Sequence, residues 1–323
     1  MAYRWPCRWR QWLLWEGIRW PASNSNLLEI SIVKIVTSEG SSKLLNITDH
    51  SRDIVGLTYV YPVVSRRAGG ISIGINLNPN SACNWRCIYC QVPSLRRGSA
   101  PAIDLVKLEN ELYSFLQEII HGSFMREQVK LDARRISDIA LSGNGEPTSA
   151  KEFKQVVDII RKVKLSSDLL KELKVVLITN GSLVGRANVQ EGLRCLAAIN
   201  GEIWFKLDSA IYEKRQQINN THISTRQVYN NLKISSSLCP TWIQTCLFKT
   251  DGNPPTKIEI KAYLEFIEKL LQEGTLIQGV LLYRLARPSM QPEALRLTKV
   301  TQTWIKSFGK EINSLGLVVK ISM

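Results

Sequence analysis

Cys83-Asn84-Trp85-Arg86-Cys87-Ile88-Tyr89-Cys90 places three thiols at C-x3-C-x2-C spacing. In a tight loop all three turn toward one point. Thiolates are soft ligands, suited to zinc or to an iron–sulfur cluster. A zinc knot would need a fourth ligand from elsewhere in the chain. Three thiolates on a four-iron cube would leave one iron without a protein ligand, and an open position is where metal chemistry takes place. The loop reads as a reactive cluster site or as part of a closed structural one.

Outward from the loop, short apolar runs alternate with helical periods. Residues 71–77 read as a strand that feeds the loop directly. Asp104 is placed to cap a helix carrying Leu108, Leu112, Phe115, Leu116 and Ile119 at i, i+3, i+4 spacing. Residues 136–141 form a second strand. Ser149-Ala-Lys-Glu152 has the form of a capping box, opening a helix with Phe153, Val156, Val157, Ile160 and Val163 on one face. Strands three to six are expected at 173–179, 203–207, 242–248 and 276–285. The helices after them are expected around 189–199, 224–238, 258–271 and 292–308, with a last strand at 315–322. This alternation implies a parallel sheet with helices outside it, curled into a barrel or left as an open wound sheet. In either form functional residues sit at the C-terminal ends of the strands, and the cysteine loop follows strand one.

The other strand ends are polar as well. Strand two runs into Gly143-Asn144-Gly145-Glu146-Pro147, where glycines allow close backbone approach and Glu146 offers a carboxylate to a cation. Strand three ends at Thr179-Asn180-Gly181, which also reads as a plain turn. Lys206 and Asp208 lie at i and i+2 on strand four, on one side, where burial in a lumen would require partners. Strand five carries Gln244 and Cys246. Strand six ends toward Arg287, a guanidinium suited to clamping a carboxylate or phosphate.

With Tyr89 as the aromatic, C-x3-C-x-aromatic-C resembles the cluster motif of the radical S-adenosylmethionine (SAM) superfamily. Gly145-Glu146 resembles the end of that superfamily's Gly-Gly-Glu element, with Asn144 standing where its first glycine usually is. The resemblance covers roughly residues 60–290. It implies an α/β fold, a partial (β/α)6 barrel with short N- and C-terminal extensions. It further implies a [4Fe-4S] cluster on Cys83, Cys87 and Cys90, with SAM chelating the open iron. Tyr89, Gly143, Asn144, Gly145, Glu146, Asn180, Lys206 and Asp208 would then lie beside the cofactors, and Gln244 and Arg287 on the substrate side. Reductive cleavage of SAM to methionine and a 5′-deoxyadenosyl radical would draw its electron from a flavodoxin or ferredoxin-type partner. Pro62-Val-Val-Ser-Arg66-Arg67, Gly74-Ile-Asn76-Leu and Cys90-Gln91 also resemble the branch of tRNA wyosine-synthesis enzymes and their uncharacterised bacterial relatives. Those enzymes carry extra upstream cysteines, whereas only Cys7 lies upstream here, so the similarity extends to fold and SAM chemistry and not to that reaction.

Composition narrows the remaining choices. The 323 residues carry a net charge of +14, are 44% hydrophobic and hold seven cysteines, three of them in the motif. The pI near 9.5 favours an anionic partner, and RNA is the expected substrate. A peptide or protein substrate is the alternative, and a non-catalytic zinc-stabilised binding module is the reading from another class. No disulfide framework is visible, which points to a reducing cytoplasm. No apolar run approaches the roughly 20 residues of a membrane span. Residues 1–26 hold Trp5, Trp9, Trp12, Trp15 and Trp20 among arginines that break any signal-peptide core. They are expected to be a disordered or non-native extension, with a membrane-surface helix as the other reading, leaving 27–323 as the radical SAM domain.

Overall fold

The computed structural model describes residues 45, 56–65, 69–166 and 168–323. The Trp/Arg-rich extension and the Arg66-Arg67 pair lie outside the described residues.

Strand β1 (Val60–Ser65) turns back antiparallel onto β2 (Gly70–Ile75), pairing Val60 with Ile75 and Ser65 with Gly70. The cysteine loop follows, its first residues forming β3 (Ala82–Cys83) beside β4 (Arg96–Arg97). Helices α1 (Leu105–His121) and α2 (Phe124–Gln128) lead to β5 (Ile136–Leu141). Then come α3 (Phe153–Leu165), α4 (Asp168–Lys171), β6 (Lys174–Thr179), α5 (Ala187–Ala197) and β7 (Gly201–Lys206). Helices α6 (Tyr212–Asn219) and α7 (Thr225–Leu238) precede β8 (Thr241–Thr250), and α8 (Lys257–Gln272) precedes β9 (Gly279–Arg284). The chain ends with β10 (Leu297–Lys299), α9 (Gln302–Asn313) and β11 (Val319–Ser322).

The main sheet runs β1-β2-β5-β6-β7-β8-β9-β11, and every pair in it after β1-β2 is parallel. Each parallel strand is added on the same side as the one before. There is no reversal of strand order of the kind that defines a doubly wound sheet, so crossovers of one hand put the helices on one face. The sheet therefore curls into a half-barrel. It has seven parallel strands, the six of the expected barrel unit and the last strand expected at 315–322, which is β11 and joins β9 in register from Val319↔Val280 to Ser322↔Tyr283. Strand β1 adds an antiparallel edge that the apolar pattern did not reveal. Pro62 lies in it, an imino acid tolerated where only one neighbour needs hydrogen bonds.

Two expected elements are corrected. The Ser149–Glu152 capping box does not form. Pro147–Ser149 is a 3-10 turn capped by Glu146, and the Ser149 hydroxyl is already engaged: it donates to the Glu146 carbonyl at 2.7 Å and accepts from Ala100 N–H at 2.9 Å. Helix α3 starts from Glu152 without a side-chain cap. The helix expected over 292–308 is broken by β10, whose Leu297 and Lys299 pair with Thr250 and Phe248. Thr301 then caps a new helix, accepting from Trp304 N–H at 3.2 Å. Asp104 caps α1 as expected, accepting from Lys107 N–H.

Between the sheet and its helices lies a continuous aliphatic and aromatic core. Phe153 is fully buried there, its ring laid on the bare backbone of Gly192 in α5, where an added Cβ would meet the ring at 2.6 Å. Emptying this contact by Phe153→Ala should cost about 3–5 kcal/mol in urea unfolding. A loss below about 1 kcal/mol, the size of an ordinary surface change, would contradict the packing.

Candidate functional site

The inner face of the half-barrel encloses a cavity of about 710 Å³. Its wall includes Cys83, Cys87, Tyr89 and Cys90 from the loop, Gly143–Glu146 after β5, Asn180 after β6, Lys206 on β7, Gln244 on β8 and Arg287 after β9. Every site residue expected from the sequence lies there except Asp208.

Each side of the site is fixed by bonds between distant segments. Asn76, just beyond β2, accepts through Oδ1 from the Asn144 backbone N–H at 2.9 Å and the Asn78 N–H at 3.1 Å. Gly145 passes so close to the loop that a Cβ there would come within 2.0 Å of the Ala82 carbonyl oxygen. That contact requires the missing side chain. Asn180 donates to Asn84 Oδ1 at 2.8 Å, joining the end of β6 to the cysteine loop.

Glu146 is 2% exposed and tied to two strand ends. Its Oε1 accepts from Thr148 N–H (3.1 Å), Thr148 Oγ1 (2.6 Å) and Thr179 Oγ1 (2.6 Å), and its Oε2 from Asn180 N–H (2.7 Å). Burial pushes its pKa above the ordinary 4.5, although these donors pull it down.

Burial also pushes the thiols up, Cys83 to about 12 and Cys87 to about 11. All three motif cysteines remain partly open to the cavity. Among the described residues no three His, Cys, Asp or Glu side chains are gathered around a single-ion site.

Lys206 and Asp208 meet on Tyr89. The Tyr89 hydroxyl donates to Asp208 Oδ2 at 2.5 Å, and Lys206 Nζ lies 3.3 Å from that hydroxyl and 5.1 Å from the ring centre. Burial opposes the lysine charge, but the acidic groups around it, with Tyr283 and Cys87 foremost, more than restore it. Asp208 departs from its expected place in the cavity wall. It lies beyond the end of β7, where strand alternation no longer governs direction. Its carboxylate instead accepts from Tyr89, from Asn219 Nδ2 at 2.7 Å and from Cys246 N–H at 3.0 Å.

Asn219 escaped the sequence reading, because nothing in Tyr212–Asn219 marks a functional position. Gln244 is 1% exposed and its Nε2 has no hydrogen-bond partner among the described residues. Arg86 forms a two-pronged pair with Glu293, at 2.9 and 2.6 Å. Arg97 donates to the Asn84 carbonyl at 2.5 Å and to the Asn220 carbonyl, bracing the loop.

No family model matches the chain. A UPF0026 protein of Helicobacter pylori is 27% identical over 189 residues, 55% of this chain and 54% of that protein. A stretch of 132 residues, 41% of this chain, is 27% identical to a segment making up 17% of a protein of Brachyspira hyodysenteriae named GTPase Obg. The chain thus spans about half the length, or less, of these relatives. Among solved structures, a radical SAM methyltransferase from Sphaerobacter thermophilus aligns over 78% of this chain and 66% of its own, with a TM-score of 0.51 and 11% identity. At that identity the likeness is one of fold, and the fold shared is the curled half-barrel.

The raised pKa of Glu146 has a sign that can be tested. An acid that holds its proton more tightly when folded contributes stability below its unfolded value, near 4.5, and loses that contribution as pH rises through the folded value. The stability of Glu146→Gln relative to the wild type should therefore move in the variant's favour between pH 4.5 and neutrality. Urea midpoints measured across that window would show a flat difference if the carboxylate were not desolvated.

Proposed function

We propose that the chain is a radical SAM enzyme, with Cys83, Cys87 and Cys90 holding a [4Fe-4S] cluster. One observation carries the reading: the three cysteines of the motif share a single cavity with Gly143–Glu146 and Asn180 at the C-terminal ends of parallel strands. The donor set fits the group. A single zinc holds its thiolates about 2.3 Å from one point, whereas a cube of four irons spreads them more widely. Three soft thiolates in one cavity wall suit the cube, of which they would leave one iron without a protein ligand. Such a cluster, when bound and reduced, supplies the electron that splits SAM into methionine and a 5′-deoxyadenosyl radical. The electron would come from a flavodoxin or ferredoxin-type partner.

The chain's own residues would bind and orient. Glu146 Oε2 accepts one hydrogen bond within the protein and keeps lone-pair capacity for the SAM ammonium. Gly145 lets the backbone approach. Lys206 and Asp208 act through Tyr89, holding the loop. Gln244, with an unpaired N–H, and Arg287 serve the substrate side.

Replacing Cys83, Cys87 or Cys90 by Ala should abolish a content of about four irons and four sulfides per chain, while Cys195→Ala and Cys239→Ala leave it intact. A Cys87→Ala protein with full iron content would end the assignment. Glu146→Gln should keep the cluster and weaken SAM binding roughly ten- to a hundredfold by calorimetry.

For the substrate, the net charge of +14 favours an anionic polymer such as RNA, and base modification is the reaction proposed for it. Binding of a single-stranded RNA should then fall steeply between about 50 and 200 mM salt, with a log–log slope set by the phosphates contacted. A slope near zero would remove RNA and favour a peptide substrate.

A further inference from the structure

We propose that Asn219, at the C-terminal end of α6, is a positioning residue for Cys87 whose side-chain amide raises the reduction potential of the cluster. The inference rests on the cluster reading above and adds a residue that no motif contains.

Asn219 is fully buried, and its Nδ2 lies 3.3 Å from Cys87 Sγ and 2.7 Å from Asp208 Oδ2. An amide nitrogen has two N–H groups, so it can serve both acceptors at once. The carboxylate fixes which way the amide points. Reversal would set Asn219 Oδ1 against an acceptor-only oxygen, and in the orientation present that Oδ1 is buried without a partner among the described residues. The sulfur thus faces a donor because Asp208 stands on the other side.

The backbone holds the same relation. The Asn219 carbonyl accepts from Arg86 N–H at 3.1 Å and the Ile218 carbonyl from Ile88 N–H at 2.8 Å, one on each side of Cys87. The helix stops there in a left-handed residue, Asn220, with φ 50°, whose side-chain oxygen accepts from Arg97 at 3.0 Å. Asp208 is itself answered by the Tyr89 hydroxyl, which lies beside Lys206. A chain of contacts therefore runs Lys206–Tyr89–Asp208–Asn219–Cys87. Reduction places additional negative charge on the cluster and its thiolates. An N–H aimed at a ligating sulfur stabilises that charge more in the reduced state, and hydrogen bonds to sulfur are among the determinants of cluster potential.

The test is a potentiometric titration followed by electron paramagnetic resonance on anaerobically reconstituted protein, with iron and sulfide content measured alongside. Asn219→Asp keeps the shape and replaces the donor by a charged acceptor next to Asp208. It should keep its iron and show a midpoint shifted to more negative potential. Asn219→Ala should shift in the same direction by less, and it decides the matter if the Asp variant cannot hold iron. A loaded variant with lowered thermal stability but the wild-type midpoint would overturn the proposal, since a purely structural residue behaves that way. A wild type that takes up no iron would instead fell the cluster reading, and this inference with it.

Discussion

The cysteine loop cannot satisfy its own backbone. Only Cys83 belongs to a strand, and the seven residues after it form no helix. Buried N–H and C=O groups without partners cost free energy, so the partners must come from elsewhere. Arg86 and Ile88 donate to Asn219 and Ile218. The carbonyls of Ile88 and Cys90 accept from the Ser289 hydroxyl at 2.7 and 3.2 Å, and Cys90 also from Met290 N–H. The Cys83 carbonyl accepts from Gly98 N–H. Three segments widely separated in the chain therefore have to arrive together before the thiols have fixed positions. The curled sheet delivers them, because α6 follows β7 and residues 287–291 follow β9.

The same requirement explains the buried charge at Glu146. A carboxylate with so little exposure would be costly alone. Here it accepts four hydrogen bonds, two from Thr148 beyond β5 and two from Thr179 and Asn180 at the end of β6, and so ties two neighbouring strand ends together. Thr179 and Asn180, which read as an ordinary turn, are the far half of that lock. A site assembled from strand ends needs such cross-links, since the parallel ladder holds the strands but not the residues beyond them.

What was legible followed from local signals. Period-2 and period-3.6 patterns are properties of ten or fifteen residues, so the parallel strands and most helices could be placed. The cysteine spacing and Gly145-Glu146-Pro147 are likewise local. The losses were nonlocal. Tyr212–Asn219 contains one aliphatic residue and no apolar stripe, so α6 left no trace, and Asn219 meets Cys87 across 132 positions. Ser149 had the sequence of a cap but lost the role to competing partners at Asn78, Ala100 and Glu146. Asp208 obeyed alternation only as far as the strand extended.

Gln244 limits what the cavity can hold. It pairs in register with Lys206, so an unpaired amide N–H and an ammonium lie side by side on the cavity wall. A buried donor left without a partner costs about 1–3 kcal/mol. Glu146, a carboxylate of the same cavity wall, accepts four hydrogen bonds from within the protein and keeps lone-pair capacity on Oε2. The inner face therefore carries donors at Gln244 and Lys206 and an acceptor at Glu146, on different strands. A ligand that brings a carbonyl, carboxylate or phosphate oxygen to Gln244 recovers the cost, and one that brings only hydrogen to this point does not. That division gives the cavity a chemical preference that varies from strand to strand.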